Sequence, residues 1–356
     1  MKVSVHQLET GTILGEDIIT LSKYPLMTKQ TLLNNELIDI LKAFLIQEVE
    51  IEKAPCGGEA KSDAKTNEKQ ERDLKTTRFQ DQYNQAVTSF KKLYTGWQSG
   101  AIVDIVKVRN LILPLIKEGL HHPEEIFKTP YYAQVKEYIY HHCISVSLLS
   151  AFLAQRLNFP QGEINQIAIT GLLCDAGMTK MEPTILWKKL ALTDKEFTEI
   201  KQHPVLSYKM IKELTAIKEG VKIGVLQHHE RLDGSGYPLG AKGEQLHPYG
   251  KIVAVADTYQ AMVCERPYRP KMSPFKVLEQ IRQDQFGKFD LSTTNVLTKA
   301  IVKTSNGAKV RLSDGRYAEV VFVEQQYPTR PMVKLIDTQE IIALASRKDM
   351  YIEEII

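Results

Sequence analysis

Cysteine is scarce in this 356-residue chain: the four present, Cys56, Cys143, Cys174 and Cys264, never fall in CxxC spacing. That excludes a disulfide framework and a zinc knuckle. No apolar run approaches the length of a membrane span, and the N-terminus MKVSVHQLETG lacks a charged-then-apolar leader, so a cytoplasmic protein without a membrane span is expected. Charge of one sign is also missing. A formal net charge of +3 is too small for a chain of this size to draw a nucleic-acid polymer by bulk electrostatics. No helical unit repeats along the sequence, which argues against a solenoid. What remains, 43% hydrophobic and 25% charged residues, is the composition of a globular protein with core enough for two or three domains.

The apolar pattern divides the chain. Residues 1–54 read as a small α/β unit, with TILGEDIIT and EVEIE as strands around a short helix in NNELIDILKAFLI. Leu37, Ile40, Leu41 and Phe44 lie on one face of that helix and Asn34 at its N-cap. Residues 55–78 hold almost no large apolar side chain among alternating charges, cannot offset their ordering entropy by burial, and read as a flexible linker. Residues 79–300 are helical in pattern. His142 shares a stripe with Val146, Leu149, Leu153 and Leu157. Asp175 shares a face with Ile164, Ala168, Gly171 and Leu172, and Gly177 suits a helix stop. A capping box, Thr193 to Glu196, opens a helix expected to end at His203, because Pro204 disfavours helix in the residue before it. KIVAVADTYQAMVC carries Asp257 among Val253, Ala254, Ala261 and Cys264. Residues 301–356 alternate as strands do, around an Asp314-Gly315 hairpin signal, and read as a small β module. The fold class is mainly α: a helical bundle with an α/β unit before it and a β module after it.

Carboxylates on apolar helix faces ask for an explanation, since burying one unpaired costs on the order of several kcal/mol. Asp175 and Asp257 are both so placed. His142 lies on a third apolar stripe, and His203, His228 and His229 fall at helix ends. Taken singly, each has a plain reading: His142 as a satisfied core histidine, Asp257 paired with Arg266, His203 as a cap. Taken together they invite one shared partner, a transition metal, because imidazole and carboxylate donors suit iron, manganese or zinc and an aspartate can bridge two ions. The adjacent pair His228-His229 repels when charged and is stabilised in the neutral form by a metal.

The order of these groups carries a family pattern. His142 opens H-x-x-x-V, Asp175 stands in D-x-G and His203 in H-P. HHERLDGSGYP then spans residues 228–238 and VADTYQAMVCERPYR residues 255–269. The stretch from His142 to Pro274 resembles the HD-GYP family, a bacterial branch of the HD metal-dependent phosphohydrolases whose characteristic substrate is cyclic di-GMP. The resemblance implies an HD-type helical bundle. It also implies two divalent transition-metal ions (Fe, Mn or Zn) bridged by Asp175 as the catalytic carboxylate. His142 and Asp257 would complete one ion, and His203, His228 and His229 the other. Arg266 and Arg269 fall where the family holds the substrate phosphates, which suits the bidentate guanidinium fork. Tyr237 and Pro238 would lie beside the guanine.

The sequence departs from the family at three places. Cys174 replaces the histidine of the name-giving His-Asp pair, either keeping its metal as a thiolate or acting as a small core residue. Met178 stands where the family carries a lysine, and Lys180 is too far round to replace it. Tyr138 stands where some members have a glutamate for a third metal, which argues against a trinuclear site. Two functions follow: a phosphodiesterase giving linear pGpG and/or GMP, or a catalytically degenerate member acting as a cyclic dinucleotide receptor or signalling scaffold. Signalling protein partners and a homodimer are compatible with both.

Overall fold

The computed structural model describes residues 2–19, 25–44, 46–52, 64–186, 188, 190–266, 271–283, 287–324 and 326–356. The first elements are β1 (Lys2–Ser4), β2 (Ile13–Leu14), β3 (Ile18–Ile19), β4 (Pro25–Met27), α1 (Asn35–Ala43) and β5 (Glu48–Glu52). The helices α2 (Ala64–Gln98), α3 (Ile105–His121), α4 (Pro123–Tyr132), α5 (Tyr138–Arg156), α6 (Gln161–Leu173) and α7 (Pro183–Leu186) come next. They are followed by α8 (Asp194–Ile200), α9 (His203–Ile211), α10 (Glu219–Gln227), α11 (Pro248–Val263), α12 (Pro274–Gln283) and α13 (Leu291–Ser305). The chain closes with β6 (Lys309–Leu312), β7 (Tyr317–Phe322), β8 (Met332–Leu335), β9 (Ile341–Ala343) and β10 (Ile352–Ile355). The protein is mainly α.

Two compact units result, residues 1–66 with 301–356 and residues 67–300. In the first, β1, β5 and β2 form one antiparallel sheet, β3 pairs with β4, and the last five strands form an antiparallel sheet of order β10-β6-β7-β8-β9. Asn34 caps α1 by accepting from the Leu37 N–H, and the β6–β7 turn places Gly315 at φ +88°, as the hairpin signal requires. TILGEDIIT makes two short strands rather than one. The terminal segments, which read in sequence as separate accessory pieces, share a core: Val5, Leu14, Ile40 and Leu41 pack with Val321 and Met332. Packing between opposite ends of a chain leaves no trace in local periodicity. Residues 64–78, expected within a flexible linker, instead begin α2. Lys, Glu, Gln and Arg, frequent in this stretch, have high intrinsic helix propensity. The rest of that expected linker lies outside the described residues.

The second unit is built around α5, whose residues Tyr140 to Ala154 are all buried, so its sequence is apolar on every side rather than along one stripe. Helices α3, α4, α6 and α11 pack against it. Two glycines permit the closest approaches. A Cβ on Gly171 would lie 3.0 Å from Ser150 Oγ and 3.1 Å from the Val146 carbonyl of α5, and one on Gly224 would meet Thr170 of α6 at 2.8 Å. The capping box forms at Thr193 and Glu196, but α8 ends at Ile200 and His203 opens α9 instead of closing α8. Pro204 then occupies the first turn of α9, where its missing N–H costs nothing.

Candidate metal centre

Each site residue stands at or near an element end. His142 lies in the second turn of α5, Asp175 just beyond α6, His203 at the first position of α9, His228 and His229 just beyond α10, and Asp257 on α11. Ser207 fixes the Asp175 turn to α9: its hydroxyl donates to the Cys174 carbonyl (2.6 Å) and accepts from the Gly177 N–H (2.7 Å). Asp175 is placed between both histidine groups. Its Oδ1 is 3.1 Å from His203 Nε2 and 3.7 Å from His228 Nε2, and its Oδ2 is 3.4 Å from His142 Nε2. Asp257 offers Oδ1 to His142 Nε2 at 2.9 Å and Oδ2 to His229 Nδ1 at 3.6 Å. Asp175, His203, His228 and His229 form one donor group and His142, Asp175 and Asp257 another, with the donor atoms of each group within 4.8 Å of one another. The six residues that the sequence pointed to therefore converge, with Asp175 in both groups.

The tautomers follow from backbone partners. His203 Nδ1 donates to the Ile200 carbonyl and His228 Nδ1 to the Val225 carbonyl, each at 2.7 Å. Each Nε2 is thereby left as a lone pair, and the two nitrogens stand 3.1 Å apart beside the Asp175 carboxylate. Lone pairs so arranged repel unless positive charge sits among them, as a second proton or as a metal ion. The donor set, imidazole and carboxylate only, fits a divalent transition metal.

Electrostatics agree. Burial alone would raise the Asp175 and Asp257 carboxyls, but the histidines around them hold both well below the ordinary carboxylate range. Burial would lower His142, yet Asp175 and Asp257 at its Nε2 outweigh it and hold the imidazole above its usual value. His229 is pushed well down by burial.

The glycine-rich loop after His229 is folded by Glu230, a residue that sequence reasoning gave no role. Its buried carboxylate accepts from the backbone N–H groups of Leu239 (2.6 Å), Gly240 (3.1 Å) and Ala241 (3.1 Å). Gly236 is required because a Cβ there would lie 2.4 Å from Glu230 Cα, and Gly234 adopts φ +82°. The loop returns Tyr237 onto His229, with ring centroids 4.7 Å apart, and Pro238 is partly buried next to it.

Arg266, Tyr237, Met178 and five of the six candidate donors, His142, Asp175, His203, His229 and Asp257, line one cavity of about 440 Å³, with Ile185, Phe197 and Ile200 forming an apolar wall. Arg266 sets its guanidinium carbon 4.6 Å from the Tyr138 ring centre. Arg269 lies outside the described residues. Lys180 does not reach the cavity's cation position, since its Nζ donates to the Trp97 carbonyl at 2.6 Å. Cys174 Sγ donates to the Gly171 carbonyl at 3.3 Å, and among the described residues neither donor group includes it. Sequence reasoning missed a second cavity-lining cation, Arg231, which sits over the Phe289 ring and donates to the Glu230 carbonyl at 2.8 Å. Its position directly after HHE was the available signal.

Comparisons with known proteins bear on this geometry. The family described as HD domain matches residues 128–292. A cyclic di-GMP phosphodiesterase of Pseudomonas aeruginosa is 28% identical over 252 residues, covering 71% of this chain and 61% of that protein. A 3'3'-cGAMP-specific phosphodiesterase of Vibrio cholerae is 30% identical over 167 residues, covering 46% of this chain and 38% of that one. The chain thus spans less than two thirds of either relative. Among solved structures, Bd1817, a HDG"Y"P protein from Bdellovibrio bacteriovorus, has a similar fold, with a TM-score of 0.50 at 13% identity over 85% of this chain and 99% of that one.

Proposed function

Residues 128–292 belong to the HD domain family, and from that premise we propose that this chain is a metal-dependent phosphodiesterase hydrolysing cyclic di-GMP to linear pGpG and, by a second cut, GMP. One observation carries the reading: two donor groups share Asp175, which lines a cavity that also holds Arg266. His142, Asp175 and Asp257 would hold one divalent ion, and Asp175, His203, His228 and His229 a second, iron, manganese and zinc being the candidates. Such ions supply Lewis acidity to a phosphoryl oxygen and lower the pKa of a water nucleophile.

The chain's own groups do the rest. Asp175 fixes the spacing of the two donor groups. The backbone carbonyls of Ile200 and Val225 hold the His203 and His228 rings in the tautomer that presents Nε2. Arg266 neutralises charge on a substrate phosphate, and the apolar wall of Ile185, Phe197 and Ile200 faces a base. Tyr237, held against His229, shapes the pocket beside the guanine, with Pro238 directing the loop.

The test is direct. The protein is prepared with manganese or with iron under anaerobic conditions and given cyclic di-GMP. Linear product is expected from the wild type and none from His228→Ala. Tight binding without product would overturn hydrolysis and select the receptor reading, which the lack of a cation at Met178 favours.

A further inference from the structure

Of the three histidines whose Nε2 faces Asp175, two have Nδ1 fixed by backbone, and His142 alone relies on a side chain. Tyr138 Oη lies 3.1 Å from His142 Nδ1. The two residues are one helical turn apart in α5, and their rings stack with centroids 5.3 Å apart and planes 26° from parallel. On its other side His142 directs Nε2 to Asp257 Oδ1 at 2.9 Å and Asp175 Oδ2 at 3.4 Å. For Nε2 to offer a lone pair to a cation, the ring proton must sit on Nδ1 and needs an acceptor there. We propose that Tyr138 is a positioning residue for His142, its hydroxyl accepting Nδ1–H and so presenting the Nε2 lone pair to an ion shared with Asp175 and Asp257.

This rests on the reading of the site as a metal centre. A phenol hydroxyl has the oxygen lone pairs needed to accept Nδ1–H. The same ring carries the Arg266 guanidinium on a face, 4.6 Å from its centre, which makes phenylalanine the informative replacement: the face stays and only the oxygen goes.

The experiment titrates manganese against a competing chelator, without substrate, in the wild type and in Tyr138→Phe, and measures KM for cyclic di-GMP at saturating manganese. In Tyr138→Phe one of the two ions should bind about 10- to 100-fold more weakly, as when the hydrogen-bond partner of a ligating histidine is removed. KM should be unchanged. Tyr138→Gln, which restores an acceptor oxygen, should bind that ion more tightly than Tyr138→Leu; this pair decides the question if Tyr138→Phe fails to fold by circular dichroism. Wild-type affinity in Tyr138→Phe, or equal affinity in the Gln and Leu variants, would overturn the proposal. A wild type that binds no ion overturns the metal centre itself. Ion binding without product overturns only hydrolysis and leaves Tyr138 in its role.

Discussion

His203 and His228 meet nitrogen to nitrogen, 3.1 Å between their Nε2 atoms, while each gives its Nδ1 proton to a backbone carbonyl. A cation at that point relieves the repulsion, so metal binding and folding are coupled. Manganese, iron or zinc at a hundredfold excess over its dissociation constant stabilises by about 2.7 kcal/mol. For a unit of this size that raises the melting temperature by about 5–10 °C. Scanning fluorimetry with and without a chelator measures it, and an unchanged midpoint would contradict a resident ion.

Asp175 is common to both donor groups, whereas His142 belongs to one. Elemental analysis should therefore separate two substitutions. Asp175→Asn should empty both positions and abolish product formation, while His142→Ala should leave the group formed by Asp175, His203, His228 and His229 loaded. Equal metal content in the two variants would mean that Asp175 does not bridge.

How much of this was legible in sequence depends on the kind of interaction. Asn34 and Thr193 were readable as caps because a cap is a local hydrogen bond. Asp175 and Asp257 were readable because a carboxylate on an apolar face demands a partner, whatever that partner is. The shared core of Val5 with Met332 was not, since nothing local links the chain ends. The place of His203 at the start of α9 is not legible locally, because Pro204 serves a first turn as readily as it ends a preceding helix. In sequence Tyr138 shows only the absence of a carboxylate, and its distance to His142 alone reveals a hydrogen-bonding partner.

Cys174 and Met178 part company in the structure. Cys174 Sγ is turned to the Gly171 carbonyl in the last turn of α6, and burial pushes its thiol well above the ordinary range, away from the thiolate that ligation needs. Cys174→Ala should keep full metal content. Met178 lines the cavity with Arg266. Met178→Lys should raise turnover at saturating metal by about 100-fold if a cation there meets charge developing on the phosphate. Steady-state rates and metal analysis on the two variants check both outcomes.

The pH dependence of metal uptake follows from His142. Its folded pKa lies above the ordinary value of about 6.5, so in the metal-free protein its contribution to stability is complete below that value and is lost as pH rises through the folded pKa. Metal binding has the opposite sign, because the ion must displace that proton. Affinity at the group containing His142 should fall by about tenfold per pH unit below the folded pKa, one proton competing with one ion. His229 belongs to the other donor group and does not enter this slope. Chelator competition between pH 5.5 and 8 measures the slope, and a flat profile would exclude His142 as a ligand.

Gly177 tests whether backbone packing sets the site. A Cβ on Gly177 would lie 2.2 Å from the His203 carbonyl and 2.5 Å from the Ser207 nitrogen, both backbone atoms that cannot turn aside. Gly177→Ala must therefore push α9 away from the Asp175 turn, breaking the Gly177 N–H bond to Ser207 Oγ and carrying His203 away from Asp175. Overpacking of this kind costs about 1–3 kcal/mol. Gly162 is the control: it lies in the first turn of α6 with nothing within 4 Å of an added Cβ. Gly162→Ala should be neutral or stabilise by up to about 1 kcal/mol, since alanine loses less backbone entropy in a helix. Melting curves with metal present should show a large fall for Gly177→Ala and none for Gly162→Ala, with metal content reduced only in the former. If both variants melt and load alike, His203 is positioned by something other than the contact between the Asp175 turn and α9.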